Sequence, residues 1–509
     1  GRFSRRNYLK LLGVAPVTYG LGKLVKALPT SAGQQNHIII LVFDAWSAHN
    51  VSFLGYKRDT MPNLAKFANS ATVYHSHHSG GNYTVPGTAS LLTGTYPFTH
   101  RALVLGAPIS QAYAHKTMFN YLGNKMDTVG FAQNVYADQF LFGAGEGLHR
   151  HIPFGTFNLT DEVVYDASIF ANDQFTAFSA FEDGIFHHKK YKDSSLVLGP
   201  LNRVRISHDK FAAKQANQEG YYNGIPESIE SYTLAALVDG MISTIESLQQ
   251  PSLLYFHVFT PHEPYRPKSR FYNAFKDDGI HVPEMPTHPL VRYPKTQKEL
   301  DDDVLDYDAY IASWDDELGK FFTYLNTSGV KENSHIIITA DHGEMFERGE
   351  SGHTTRLLFE PVVHIPLLIS SPGQTERKDI HVPTTAIDVL PTVSTWSGLD
   401  KPDWAQGQVL AGQGGEEDPA RSIFIFDSQS DAVFGVYKHY SLALIKNGFK
   451  MVRYKYQKYL QTELYDLTND PEETKDLYAQ QPAGAAGMEA ELVAKLKEIG
   501  AELELSAKE

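Results

Sequence analysis

The stretch Thr84-Val85-Pro86-Gly87-Thr88 offers one hydroxyl in a position to do chemistry. Pro86 lacks a backbone donor and restricts Val85 to extended conformations. The chain is therefore expected to turn there and enter a helix around 88–92, leaving Thr84 just ahead of the helix N-terminus. Such a terminus attracts anions and stabilises developing negative charge. A threonine hydroxyl is a weak nucleophile at neutral pH and needs a metal ion or a base beside it. Threonine is also an ordinary helix cap, so its partners decide its role.

Three further positions carry polar side chains at the ends of apolar runs. Residues 38–43 end in Asp44, and 252–259 lead into Thr260-Pro261-His262-Glu263-Pro264-Tyr265. Residues 335–340 deliver Asp341-His342-Gly343-Glu344. Runs this apolar and β-branched read as strands buried on both faces of a parallel sheet. Open α/β sheets bind ligands beyond the C-terminal ends of such strands, which is where these residues fall. His257, inside the second run, reads as a buried core histidine. His75, His77 and His78 lie close together, but strand alternation puts His78 on the opposite face from the other two. They read as structural.

Other elements must surround these strands. A helix is expected at 64–70, a strand near 71–74, a helix at 117–125 and a strand at 128–136 that includes Asn134. Val304, Tyr307, Ile311, Trp314, Leu318, Phe321 and Leu325 recur at steps of three and four, the pattern of an amphipathic helix packed on the sheet. From about 400 the pattern changes to short strands at 423–426, 441–445 and 449–454, with Asn447-Gly448 as a two-residue hairpin turn. A final helix covers about 485–505. Segments of about 140–235 and 270–300 read as insertions that set specificity.

The 509-residue chain has no cysteine, which excludes disulfides, thiolate zinc sites and cysteine nucleophiles. Its net charge is −14, and the six basic residues of 1–36, with no acid among them, leave the remainder at −20. That balance argues against nucleic acid as a partner. No run of about twenty apolar residues suggests a membrane-spanning helix.

Ser4-Arg5-Arg6-Asn7-Tyr8-Leu9-Lys10 resembles a twin-arginine export signal. A mildly apolar stretch, interrupted by Lys23 and Lys26, and a small-residue cleavage site at Thr30-Ser31-Ala32 follow. The resemblance implies a prokaryotic source, the twin-arginine machinery as a partner and a periplasmic, cell-surface or extracellular location. An uncleaved N-terminus would keep the protein at the membrane.

Several motifs resemble the sulfatase-like branch of the alkaline phosphatase superfamily. Ala89-Ser90-Leu91-Leu92-Thr93-Gly94-Thr95-Tyr96-Pro97 is similar to that family's helix start, and Thr84 stands where sulfatases carry the cysteine that becomes formylglycine. Gly87 and Thr88 replace the family's Ser and Arg. Gly55 to Leu64, Pro261-His262 to Tyr265, Asp341-His342-Gly343-Glu344, Gly352-His353 with Phe359-Glu360, Ile387 to Thr392 and Glu463 to Glu473 match further family segments. The resemblance implies an alkaline-phosphatase-like α/β domain at 37–398, with a mostly parallel central sheet flanked by helices. A smaller α+β subdomain with an antiparallel sheet follows at 399–509, and 1–36 is a signal segment.

The resemblance also implies one divalent ion held by Asp44, Thr84, Asp341 and His342, with Mn, Zn or Mg favoured over Ca because Ala45 replaces a second carboxylate. His262 and His353 would contact the substrate and assist the leaving group, and Asn134 would donate to it. Asp183…His187 and Asp277…His281 have the spacing of a second-metal pair in superfamily phosphodiesterases, but no buried strand leads into either. The absence of the sulfate-binding Lys-x-His pair near 134 disfavours sulfate esters. The expected activity is phosphoester hydrolysis or transfer on a small or lipid-linked envelope substrate through Thr84. A non-catalytic envelope subunit on the same fold, and a sulfatase without formylglycine, are the alternatives. Oligomeric state is not legible.

Overall fold

The computed structural model describes residues 36–159, 207–208, 210–226, 231–429 and 435–504. The twin-arginine segment, Asp183…His187 and most of the first insertion lie outside them.

The described strands are β1 (His37–Phe43), β2 (Thr72–Tyr74), β3 (His77–His78), β4 (Asp127–Ala132), β5 (Arg150–His151), β6 (Ser252–Val258), β7 (Ser334–Ala340), β8 (Met345–Glu347), β9 (Glu350–Gly352), β10 (Leu367–Ser370), β11 (Lys378–Ile380) and β12 (Thr384–Thr385), then β13 (Ile423–Asp427), β14 (Tyr440–Lys446), β15 (Phe449–Tyr456) and β16 (Tyr459–Asp466). The helices that matter here are α1 (Pro62–Ala68), α2 (Thr84–Thr93), α3 (Val135–Gly143), α4 (Leu234–Glu246), α5 (Gln297–Thr327), α6 (Glu360–Val363), α7 (Val389–Trp396) and α8 (Ala485–Glu498).

The central sheet has eight strands in the order β11-β2-β10-β7-β1-β6-β4-β5, and β10 alone runs against its neighbours. Alternate residues of β1 enter two apolar clusters. Ile39, Leu41 and Phe43 pack with α4 and α5; Ile38, Ile40 and Val42 pack with α2 and α7. Burial on both faces is what a parallel sheet with helical crossovers requires. The expected apolar stripe of α5 is buried from Val304 to Leu325. The helix begins earlier than that stripe, at Gln297, because Thr296 and Glu299 form a capping box.

β13 to β16 form a separate antiparallel sheet in sequence order. Lys446 pairs with Phe449 across Asn447-Gly448, whose φ values of 51° and 78° suit a type I′ turn. β16 was not expected as a strand; its polar Gln461 and Thr462 hide the alternation. α8, which ends at Glu498, packs Met488, Leu492 and Leu496 with Phe424, Leu442 and Leu444 of this sheet. No described helix is long and apolar enough to cross a membrane.

Candidate active site

Parallel register brings the site together. Phe43 lies opposite Ala340 on one side and Val258 on the other. Asp44 and Asp341 therefore leave adjacent strands at the same level, and both are fully buried. The same register pairs Val42 with His257. His257 thus points to the face used by Asp44, two residues on. Its Nε2 lies 3.3 Å from Asp44 Oδ2 and 3.5 Å from Asp341 Oδ2, while Nδ1 meets the Tyr255 hydroxyl at 3.2 Å. The expectation that His257 is only a core histidine is corrected. It is buried in the core, but it faces both acids.

His342 completes the cluster. Its Nδ1–H donates to the Gly343 carbonyl at 2.8 Å, which leaves Nε2 directed at the acids, 3.3 Å from Asp44 Oδ1 and 3.6 Å from Asp341 Oδ2. This arrangement is the usual one for a metal-ligating imidazole. Asp44 Oδ1 and Asp341 Oδ2 are buried and accept no hydrogen bond. Two such oxygens are costly unless a cation meets them, so the residues fit a divalent ion. Electrostatics agree. Burial opposes charge on His342, yet Asp341 and Asp44 hold its pKa up at about 9. Burial, reinforced by the charge on Asp44, raises Asp341, whereas His262, His257 and His342 overcome burial to hold Asp44 well below its usual range.

Thr84 is the first residue of α2, not a residue ahead of it. Pro86 did not delay the helix, because proline is tolerated in a first turn where the amide is unpaired anyway. The Thr84 hydroxyl is 3.4 Å from His342 Nε2 and accepts from Asn134 Nδ2 at 3.3 Å. The expected strand through 136 ends at Ala132. Asn134 instead caps α3, its Oδ1 accepting from the Tyr136 amide, and its Nδ2 donates to Asp44 Oδ2 at 2.6 Å. Gly87 allows α2 to sit this close: a Cβ there would lie 2.2 Å from the Asp341 carbonyl oxygen.

The turn after Asp44 is held in an unusual conformation. Ala45 has φ 59°, its amide points at Asp341 Oδ1 (3.4 Å), and the Tyr307 hydroxyl donates to its carbonyl at 2.6 Å. A left-handed alanine costs about 1–2 kcal/mol, and such residues concentrate at functional sites.

His262 and His353 close one side. The His353 ring lies 4.4 Å from that of His342 and 4.7 Å from that of His262. Glu344 and His353 flank the base of the β8–β9 hairpin, where Met345 pairs with Gly352. That pairing explains the contact of His353 Nδ1 with Glu344 Oε1 at 3.0 Å. Glu344 is buried and so does not face solvent. Burial raises its pKa to about 7 and lowers that of His353 to about 3, so the pair is favoured in its neutral form. His262 Nδ1–H donates to the Glu263 carbonyl at 2.6 Å. In both rings Nε2 remains the nitrogen open to a substrate.

All seven site residues expected from the sequence, Asp44, Thr84, Asn134, His262, Asp341, His342 and His353, are therefore gathered at one end of the sheet, with His257 and Glu344 added. The second-metal pair Asp277…His281 does not form; His281 faces Asp301 at 3.4 Å.

Fold and site together give an α/β architecture with a buried acid–histidine cluster at the C-terminal ends of its parallel strands. Residues 36–399 match the sulfatase family model, and the chain belongs to that family, whose enzymes are metal-dependent. Residues 349–502 match the C-terminal region of N-sulphoglucosamine sulphohydrolase. Among curated proteins, the multifunctional alkaline phosphatase superfamily protein PehA of Trinickia caryophylli is 23% identical, covering 89% of this chain and 93% of its own. The uncharacterized sulfatase YidJ of Escherichia coli is 26% identical over 49% of this chain and 52% of its own, so the chain spans about half of that relative. The solved phosphonate monoester hydrolase of Agrobacterium radiobacter superposes with a TM-score of 0.63 at 18% identity, covering 91% of this chain and 95% of that one.

Proposed function

We propose that this protein hydrolyses or transfers phosphoesters, diesters or monoesters, through Thr84 as nucleophile. One observation carries the reading: the Thr84 hydroxyl opens α2 within 3.4 Å of His342 Nε2, beside two buried carboxylate oxygens that lack hydrogen bonds. A divalent ion held by Asp44, Asp341, His342 and Thr84, with His257 beside them, would favour the alkoxide and neutralise developing charge on phosphorus. Two carboxylates, imidazole and a hydroxyl suit Mn, Zn or Mg.

Asn134 holds the hydroxyl and Asp44 in one hydrogen-bonded group, which orients the nucleophile. With its proton passed to solvent, Thr84 Oγ1 bonds to phosphorus, the bond to the ester oxygen breaks, and the departing alcohol takes a proton from His353 Nε2, whose Nδ1 regains one from the Glu344 carboxyl, while His262 contacts the substrate through its unprotonated Nε2. Water or an acceptor alcohol then attacks the phospho-threonine, and Thr84 leaves with its hydroxyl restored. The α2 amides stabilise the equatorial oxygens throughout. Export by the twin-arginine route, and an envelope phosphoester as substrate, belong to the same proposal and rest on the N-terminal motif.

The test is turnover of aryl phosphodiester, phosphomonoester and sulfate substrates, with metal content measured in parallel. Thr84→Ala should reduce phosphoester turnover on the order of 10³-fold or more with an unchanged circular dichroism spectrum. Near-normal turnover in that variant would sink the nucleophile assignment. Turnover of the sulfate ester alone would favour a sulfatase acting without formylglycine.

A further inference from the structure

A cavity of about 1060 Å³ adjoins the site, lined by Glu344 but by none of Asp44, Thr84, Asp341 or His342. Among the ligand-type side chains that line it, His49, His78, Glu360 and His364 form one cluster. They come from three distant segments. His49 lies in the short 3-10 turn Ala48–Asn50, His78 ends β3, and Glu360 and His364 are four residues apart across α6. That spacing puts Glu360 and His364 on one helix face. The backbones of His78 and His364 also form an isolated bridge.

The side chains converge. His78 Nε2 lies 3.0 Å from Glu360 Oε2, and His364 Nδ1 lies 3.7 Å from the same oxygen. The His364 ring stacks on His78 at 5.1 Å and meets His49 edge-on at 5.7 Å. One donor atom from each of His49, Glu360 and His364 lies within 4.8 Å of the others. A tetrahedral zinc ion about 2.1 Å from each donor separates donors by roughly 3.4 Å, so small side-chain movements close the set.

Independent features point to a ligand. His364 Nε2 and His78 Nδ1 are buried and have no hydrogen-bond partner, an arrangement uncommon unless something else is bound. Lys450 occupies the other oxygen, Glu360 Oε1, at 2.9 Å, and shares its charge with Glu473 Oε1 at 2.6 Å. Glu347, Glu417 and Glu472 line the same cavity and supply negative field.

We propose that His49, Glu360 and His364, with His78 beside them, form a second metal site selective for a zinc-class ion. The site pins together the segments that follow Asp44, precede Thr84 and follow the Asp341–Glu344 loop. Its donor set, imidazole-rich with one carboxylate, favours zinc over magnesium.

The test uses the full chain stripped with chelator, then loaded with Zn²⁺ or, in parallel, Co²⁺. Bound metal is counted by mass spectrometry, and Co²⁺ is read by its visible absorption. Wild type should bind two equivalents of Zn²⁺. His49→Ala and His364→Asn should each bind one, and Asp341→Asn should also bind one, losing the other ion. His49 is half-buried on a short turn, so His49→Ala carries the test if His364→Asn fails to fold. Unchanged zinc content in folded His49→Ala overturns the proposal. A single wild-type equivalent lost in His49→Ala but kept in Asp341→Asn would support this site while removing the ion from the Thr84 reading.

Discussion

Two pairs of buried acids lie within the same structure and are neutralised differently. Glu360 and Glu473 share the ammonium of Lys450, which is itself fully buried. Asp44 and Asp341 have no lysine or arginine ion pair among the described residues; only histidines and amides approach them. A built-in cation balances one pair permanently through Glu360 Oε1 and leaves only Glu360 Oε2, beside His78 and His364, for a further ligand. The other group is balanced only by protons or by an exchangeable ion, and that is the group beside the Thr84 hydroxyl. Asp427 follows a third course. It accepts from the Tyr456 hydroxyl at 2.9 Å, and burial raises its pKa to about 7, so it keeps a proton instead of gaining a cation.

Removing the built-in cation should have the largest effect on stability. Lys450→Met strands two acids in the interior, and loss of one partner of a buried pair costs about 3–5 kcal/mol. A urea midpoint that matches wild type would show that Glu360 and Glu473 do not depend on Lys450. Asp341→Asn probes the exchangeable side. In wild type, metal at a hundred times its Kd should add about 2.7 kcal/mol of stability, seen as a rise in Tm that chelator reverses. Placed in a His49→Ala background, which lacks the other proposed ion, Asp341→Asn should lose that rise; retention of it there would place the ion elsewhere.

The smallest expected effect is at Asp427. The unfolded carboxyl loses its proton near its model value of 3.8, the folded one only near 7. The native state therefore binds more protons in that window, and stability falls as pH rises through it, by at most about 1.4 kcal/mol per pH unit. Asp427→Asn should lack this slope. Urea midpoints of both proteins at pH 5 and pH 7 give the difference, and identical slopes would mean that the acid is ionised when folded.

Much of this was legible in sequence because its signals are local. The apolar runs before Asp44 and Asp341, and the stripe from Val304 to Leu325, need only neighbours in the chain. His257 was not, since a histidine inside an apolar run looks the same whether or not register sets it beside an acid on the next strand. Asn134 was misplaced because Val135 and Tyr136 favour strand as readily as helix, and its capping role emerges only once β4 has ended. His78 was set aside by strand alternation, which is a correct rule within one strand and says nothing of His364, nearly three hundred residues away. Glu344 and His353 meet through a hairpin that their sequence does not advertise.

The missing Cβ of Gly87 also bears on how such a site can change over evolutionary time. Serine here would push its first carbon to 2.2 Å from the Asp341 carbonyl oxygen. Any side chain at 87 is therefore excluded while α2 and the Asp341 loop keep this spacing. To admit one, the helix and the acid-bearing loop would have to separate together, so a change at this position has to be accompanied by a backbone displacement.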